Sequence, residues 1–537
     1  MPRILKDRIV WDQEDFLAGL QLQQGNLSPL TVGGRGASFS RNVDPYRKLG
    51  AIVPGYLPVD VTNVDEVTSM IVAGDNDYSG ATPYAYLGGG ALLHRLNLAT
   101  DTLSNSAPWP HTVSSSITIG EDLNDVVVFN IGSSTFAMYS YQGTTNGQLG
   151  AYDISSGALN VFYDDYSSTS FSPNYIFTKS DPHPLILGDD GLLYAGNGNV
   201  LAQINGASSP GTVIEKLTFP TGSVIKSFSK IPGYLVIFAQ RANGTSSATY
   251  RGSATAYFWN FASQNFNFAY DLSDNIVSGG FSWNGIPGCF TYGRVAGGRF
   301  ISTKLKLFNG SYFEQVLDYP SNPPGNGSVE ISNGMIQWTY VQEGSSILAS
   351  YGSPWKGKTP NAFNKIGEPR GVTQSLFKSG LCKNFSGIKL YISSGVTTTG
   401  GLQTFGGDYG PLQSEGSRWD GLYAEPLFPR GMVGKIDAIK VHFRGPATAG
   451  RTLALLLDFN YGDVTTATVF TALGTLSAIQ TIKEYEKDSS QNEFPFFHSL
   501  SPRFTWNSGT GTDKTDAPAV HKIEVFYKMV KFNQPTV

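Results

Sequence analysis

Leu192-Leu193-Tyr194-Ala195-Gly196-Asn197-Gly198-Asn199-Val200-Leu201-Ala202-Gln203-Ile204 is the stretch whose reading decides the fold. Two apolar runs of strand length flank a Gly-Asn pair, and that pair supplies the backbone freedom a tight turn needs. The segment therefore reads as strand, turn, strand. Ala85-Tyr86-Leu87-Gly88-Gly89-Gly90-Ala91-Leu92-Leu93-His94-Arg95-Leu96 repeats the phrase, and Gln148 to Ile154 followed by Ser155-Ser156-Gly157 is a looser copy. Strand-turn-strand units recurring at intervals of roughly 45 to 55 residues imply blades around an axis.

Composition agrees. The chain of 537 residues carries Gly 62, Tyr 27 and Phe 33 but only 15% charged residues. Aromatics suit pleated surfaces and glycines suit the many turns that short strands require. Such a length exceeds what one core serves, so more than one domain is expected. The net charge of -4 argues against a dedicated nucleic-acid binder, whose footprint is basic. Cys289 and Cys382 do not make a disulfide framework and read as buried thiols, pairing only if the fold joins them.

Met1-Pro2-Arg3-Ile4-Leu5-Lys6-Asp7 has no apolar run behind it, so no signal peptide is read, and no segment is long and apolar enough to suggest a membrane span. Synthesis in the cytosol is the expectation.

Three regions follow from the pattern. Residues 1–57 read as an extended N-terminal arm, with room for one short helix from Gln13 to Leu20. Pro45 and Pro54 forbid helix around Arg41, Asp44, Tyr46 and Arg47, the residues that mark the arm as a candidate assembly element. Ordering such an arm alone is costly, so it is expected to lie across a neighbouring domain or subunit. Residues 58–430 read as a β-propeller of six or seven blades, although a β-helix or stacked sandwiches fit the same pattern. Expected strands include Ser69–Ala73, Val126–Ile131, Tyr234–Ala239, Ile301–Phe308, Ser346–Ser350 and Gly387–Ile392. Asn309-Gly310 reads as a two-residue hairpin turn. Residues 431–537 read as a β-sandwich, because Lys435–Phe443 and His521–Lys528 both alternate apolar and polar residues. Ile439 breaks the first alternation. The two strands are expected side by side in one sheet.

The C-terminal region resembles the virion proteins of tailed bacteriophages, in particular minor-tail and tail-associated proteins. The resemblance is carried by the Lys-Ile-x-x-Ile-Lys-Val strand from Lys435 to Val441, the Leu453–Tyr461 segment and the Leu473-Gly474-Thr475 turn. It closes on the strand from Ala517 to Tyr527, with a weaker echo in Asn42-Val43-Asp44-Pro45-Tyr46. It implies a structural role in symmetric copies in the tail, connector or nozzle region. The partners it implies are copies of the chain in a ring and other virion proteins, with DNA contact only if the ring lines a tail channel.

A search for chemistry returns little. His94, His111, His183, His442, His498 and His521 show no zinc spacing, and no metal or cofactor is expected. Asp75-Asn76-Asp77-Tyr78-Ser79-Gly80 begins like a calcium loop, but its twelfth position is Tyr86 rather than Glu. Asp164-Asp165 are neighbours in sequence, which a strand would point to opposite faces, and Asp189-Asp190-Gly191 reads as a hairpin turn. No catalytic residues are expected. Tyr163, Tyr166 and Tyr175, set among serines, form a candidate carbohydrate-stacking patch for a host surface glycan. Two other functions thus stand beside the structural one: a receptor- or carbohydrate-binding tail protein, and a polysaccharide hydrolase.

Overall fold

The computed structural model describes residues 3–531, less 6–7, 14–36, 42, 49–50, 56–58, 68, 114–121, 132, 143–146, 156–161, 164–174, 179–180, 206–211, 242–251, 295–299, 320, 323, 343–352, 360–361, 366–379, 388, 397–398, 407–416, 422–427, 445–451, 460–469, 477–481, 488–490 and 508–518. The chain folds into two compact units. One comprises Pro58–Pro354 and Pro369–Phe405; the other comprises Met1–Leu57, Trp355–Glu368 and Gly406–Val537.

The first unit is a β-propeller with seven blades. Blade 1 holds strands Ala73–Asp77, Tyr84–Gly89, Leu92–Asn97 and Thr102–Leu103. Blade 2 runs from Asp122 to Tyr163, blade 3 from Leu185 to Thr218, blade 4 from Ser223 to Asp271 and blade 5 from Ile276 to Tyr319, each a four-stranded antiparallel meander. Blade 6 contributes Val329–Ser332 and Met335–Gln342. Blade 7 holds Cys382–Lys383, Lys389–Val396 and Thr399–Gly406, and its outermost strand is Val59–Asp60 from the start of the unit. The two ends of the ring are thereby sewn into one blade, which removes a sheet edge.

The first strands of successive blades lie side by side, so they ring the axis. Alternation explains how the blades stack. Leu193 and Ala195 face blade 2 and pack with Phe136, Met138 and Leu149. Tyr194 between them faces blade 4 and packs with Phe228, Ile237 and Trp259. Each inner strand is buried on both faces, which is why the repeats read as unbroken apolar runs. Blade 7 packs on blade 1 in the same way, through Leu381, Tyr391 and Leu402 against Leu87 and Leu96. These interfaces close a ring, and neither a β-helix nor a pair of stacked sandwiches would produce them.

The deciding stretch is strand Leu193–Asn197, a turn with Gly198 at φ +58, and strand Val200–Asn205. Most expected strands stand within a few residues of their places. Ser69–Ala73 is displaced to Ala73–Asp77, and Ser346–Ser350 lies outside the described residues. The Asn309-Gly310 reading needs correction. Phe308 pairs with Phe313, so the loop has four residues, and Asn309 Oδ1 accepts the Ser311 and Tyr312 N–H groups. Two-residue Asn-Gly turns do occur, at Asn284-Gly285 and Asn333-Gly334, with all four φ values positive.

The second unit is a sandwich of two sheets. The first runs in the order Arg3–Leu5, Arg8–Gln13, Ala519–Lys531, Met432–Arg444 and Ile482–Tyr485. The second runs Ala37–Arg41, Ser417–Gly421, Leu500–Asn507, Thr452–Phe459 and Phe470–Leu476. Ile439, Val441, Leu455, Phe504, Trp506 and Val525 share its core. The expected pairing of the first and last long strands is observed over their whole length. A bulge at Asp437 explains the broken alternation: Ile436 faces the core before it, and Ile439, Val441 and Phe443 after it.

The described part of the N-terminal segment is extended and packs within the sandwich. Ile9 to Gln13 pair with Tyr527 to Ile523, and Val43 and Ile52 are buried in the sandwich core. The helix expected from Gln13 to Leu20 falls outside the described residues after Gln13, which ends a strand. The propeller stops at Phe405 rather than 430. Ser417–Gly421 pairs with strand Leu500–Asn507, and Trp419 is buried among sandwich residues.

Candidate functional site

The propeller axis gathers four charged side chains. Asp75, Asp125 and Glu330 lie on the first strands of blades 1, 2 and 6, and Lys383 lies on that of blade 7. Val128 N–H of blade 2 donates to Asp75 Oδ2 at 2.8 Å, and Asn76 N–H donates to Oδ1 at 2.9 Å. Leu185 N–H of blade 3 donates to Asp125 Oδ2 at 2.8 Å, and Val126 N–H to Oδ1 at 2.9 Å. Asn384 N–H of blade 7 donates to Glu330. Between blades 4 and 5, Gly280 N–H donates to Ser227 Oγ at 3.2 Å. Each is one device: a short polar side chain on an inner strand accepts an amide from the blade after it.

Burial pushes the pKa of Asp75 and Glu330 up, against the pull of the backbone donors and the Lys383 ammonium. Asp125 is pushed up to about 6 by the same burial. In Asp75 and Asp125 both oxygens are already taken by amides, so these carboxylates brace blades rather than face a substrate. Asp75 and Asp77 sit on a strand paired with Tyr84–Gly89, and no group of three or more His, Cys, Asp or Glu residues among the described residues is arranged to hold a metal ion. Asp125, Glu330 and Lys383 were not singled out from sequence. The available signal was an acidic residue immediately before the apolar run Val126-Val127-Val128.

His183, one of the histidines without zinc spacing, is fully buried beside this axis. Its Nδ1 lies 3.1 Å from the Gly196 carbonyl oxygen and its Nε2 2.9 Å from that of Thr178. A neutral imidazole donates to one of them only. Burial pushes its pKa down, while the two carbonyls and Asp181 pull the other way. Space is tight enough that a Cβ on Gly147 would stand 2.1 Å from Nε2.

Of the proposed sugar-stacking residues, Tyr175 is tethered. Asn197 Nδ2 donates to its hydroxyl at 3.0 Å, and its ring meets Phe177 edge-on at 5.2 Å. Tyr163 belongs to the outer strand of blade 2, and Tyr166 lies outside the described residues. Of the assembly-arm residues, Arg41 is paired with Arg418 and Asp44 with Val53, and Pro54 with Val43. Pro45, Tyr46 and Arg47 fall in the irregular part of the hairpin Val43–Lys48 and Ala51–Pro54. Asp189-Asp190-Gly191 forms the expected turn, with Gly191 at φ +77, and Asp164-Asp165 lies outside the described residues. Cys289 and Cys382 are buried free thiols, and burial pushes both pKa values up. His442 Nε2 stands 2.8 Å from Glu524 Oε2 on the sandwich, where Lys522 also reaches Glu524 at 3.0 Å.

No family model and no curated protein matches the chain. The solved structures similar to it are propellers. One is the Dos1 propeller, 11% identical with a TM-score of 0.40, covering 65% of this chain and 95% of that one. Another is the β-propeller domain of Cps50 (Swd1) from Myceliophteria thermophila, 6% identical with a TM-score of 0.41, covering 66% and 99%. A third is a luciferin-regenerating enzyme, 8% identical with a TM-score of 0.35, covering 65% and 96%. Enzymes and non-enzymes share this architecture, and likeness at this level carries no argument about activity.

Proposed function

We propose that the chain is a non-enzymatic structural component of a tailed-phage virion, placed in symmetric copies in the tail, connector or nozzle region. The reading starts from the sequence resemblance in Lys435–Val441 and Ala517–Tyr527; the solved propellers named above do not bear on it. One observation carries the non-enzymatic part. Asp75 and Asp125 on the axis each have one oxygen held by an amide of the next blade and the other by the amide of the following residue on the same strand, so they serve the ring's cohesion. A polysaccharide hydrolase needs two carboxylates free to face a glycosidic bond. The sewn blade 7 also suits a particle part, because it leaves no open end at which the ring unzips.

The partners in this reading are copies of the chain and other virion proteins. The test is the mass of the full chain in solution, by light scattering over a concentration series. A discrete closed oligomer is the expected result. A monomer at every concentration would overturn the assembly role.

A further inference from the structure

In blades 1 to 5, the turn from first to second strand and the turn from third to fourth emerge on one face of the ring. Large apolar side chains stand exposed on that face: Tyr78 at 53%, Leu187 at 36%, Phe268 at 50%, Ile286 at 41% and Tyr312 at 57%. Each lies within one residue of such a turn. Tyr78 follows strand Ala73–Asp77, Leu187 ends Leu185–Leu187, Phe268 begins Phe268–Asp271, Ile286 begins Ile286–Arg294 and Tyr312 precedes Phe313–Tyr319. Exposed apolar residues scattered singly need no explanation, but their gathering on one face does. Four of these five belong to blades 3, 4 and 5.

Phe268 has firm backing, and Tyr312 stands next to a packed aromatic cluster in sequence. Phe268 meets Tyr234 at 6.3 Å between centroids, and Tyr234 meets buried Phe258 at 6.3 Å. Phe258 touches Phe308 at 5.1 Å, and Phe308 touches Phe313, the residue after Tyr312, at 5.2 Å. Beside the rings stand three exposed asparagines with a common arrangement. Asn260 Oδ1 accepts the Ala262 and Ser263 N–H groups at 3.2 and 2.9 Å. Asn267 Oδ1 accepts Asn260 N–H at 2.9 Å, and Asn309 Oδ1 accepts the Ser311 and Tyr312 N–H groups at 3.1 Å each. In each case the oxygen holds the loop, and the NH2 group makes no hydrogen bond among the described residues. Turns 232–233, 260–267, 284–285 and 309–312 contain no charged residue.

We propose that this turn face of blades 4 and 5 binds a neutral glycan, with Phe268 and Tyr312 stacking on sugar rings and Asn260, Asn267 and Asn309 donating to hydroxyls. Rigid aromatic area combined with adaptable Asn and Ser donors is the chemistry of surfaces that recognise polar ligands. Pyranose rings offer apolar C–H faces to the rings and many acceptors to the amides. The turns of blades 4 and 5 carry no charge, and Lys230, two residues before turn 232–233, is already paired with Asp189 at 3.3 Å, so acidic saccharides are selected against. The site is distinct from the Tyr163, Tyr166 and Tyr175 patch and does not depend on the virion reading.

The test is affinity electrophoresis of the full chain through gels containing dextran, mannan, laminarin or galactan, with alginate and heparin as acidic counterparts. Retardation in at least one neutral gel is expected, weakened about tenfold in the Phe268→Ala/Tyr312→Ala double variant. An unchanged unfolding midpoint shows that the variant is folded. Should the double variant lose its fold, Tyr312→Ala alone, in a solvent-facing turn, carries the same comparison. No retardation in any neutral gel, retardation in acidic gels only, or equal retardation of the variant would overturn the proposal. So would self-association that disappears in the variant without glycan binding, because the face would then be a protein interface.

Discussion

Replacing Asp125 with Asn probes the brace between blades 2 and 3, and its effect is worked from pH rather than from a single value. Burial lifts the Asp125 carboxyl from 3.8 to about 6 in the folded chain. The folded state therefore holds this proton more tightly than the unfolded state does. Stability from this group is fully present below the unfolded pKa and is lost as pH rises through about 6. The lift of about two units corresponds to about 3 kcal/mol. The Asn side chain has no such titration, yet it is close in shape. It keeps one carbonyl oxygen for one of the two amides from Val126 and Leu185 and turns its NH2 toward the other. That mismatch costs roughly 1–3 kcal/mol at every pH.

The two effects have different pH signatures. At pH 4 Asp125→Asn is destabilising by the mismatch alone. By pH 7 the wild-type charge has offset most or all of that difference, so the gap between the two proteins narrows by about 3 kcal/mol. Urea unfolding followed by tryptophan fluorescence at pH 4, 5, 6 and 7 reads this gap directly. A gap that stays constant across the series would show that Asp125 is not buried as an ionised brace, and the account of the axis would fail with it.

Asp274 gives the opposite sign. Burial opposes its charge, but hydrogen bonds from Lys304 at 2.8 Å and Thr291 at 2.7 Å, with Lys306 at 3.0 Å, hold its carboxyl below the usual range. Its contribution is present above the unfolded pKa and is lost as pH falls through the folded one. Asp274→Asn should cost about 3 kcal/mol at pH 7, because buried Lys306 is left facing a neutral group, and should cost progressively less in acid. A pH-independent loss in urea midpoints would count against it. Deleting residues 1–57 should open the sandwich to limited proteolysis within Ala519–Lys531, because that strand loses Ile9 to Gln13 as its neighbour. An unchanged digestion pattern would show that the pairing does not protect that strand.

The blades were legible because their chemistry is local. In Leu193–Ile204 the turn and both strands lie within thirteen residues of the quoted stretch, and the long apolar runs report burial on both faces. The ring's closure was not, because Val59–Asp60 pairs with strand Thr399–Gly406 more than three hundred residues away, and two residues carry no period. What the N-terminal segment lies against was hidden for a related reason. Val43, Ile52 and Val53 are core residues, but Pro45 and the charges between them hide any alternation, and only the sandwich shows what they are buried against.

The axis and the turn face were hidden for different physical reasons. A staple such as Asp125 is one residue per blade, and its partner Leu185 belongs to another repeat, so no spacing within a repeat reveals it. The turn face is spread over the chain in the same way: Phe268 and Tyr312 are 44 positions apart in numbering yet share a face. They do so because every return of the meander puts its odd-numbered turns on the same side of the ring. Sequence alone pointed to aromatics clustered in number, at Tyr163, Tyr166 and Tyr175. A propeller gathers side chains by turn parity instead, so a sugar-stacking pair is better sought one blade apart, on turns of the same parity, than within one serine-rich stretch.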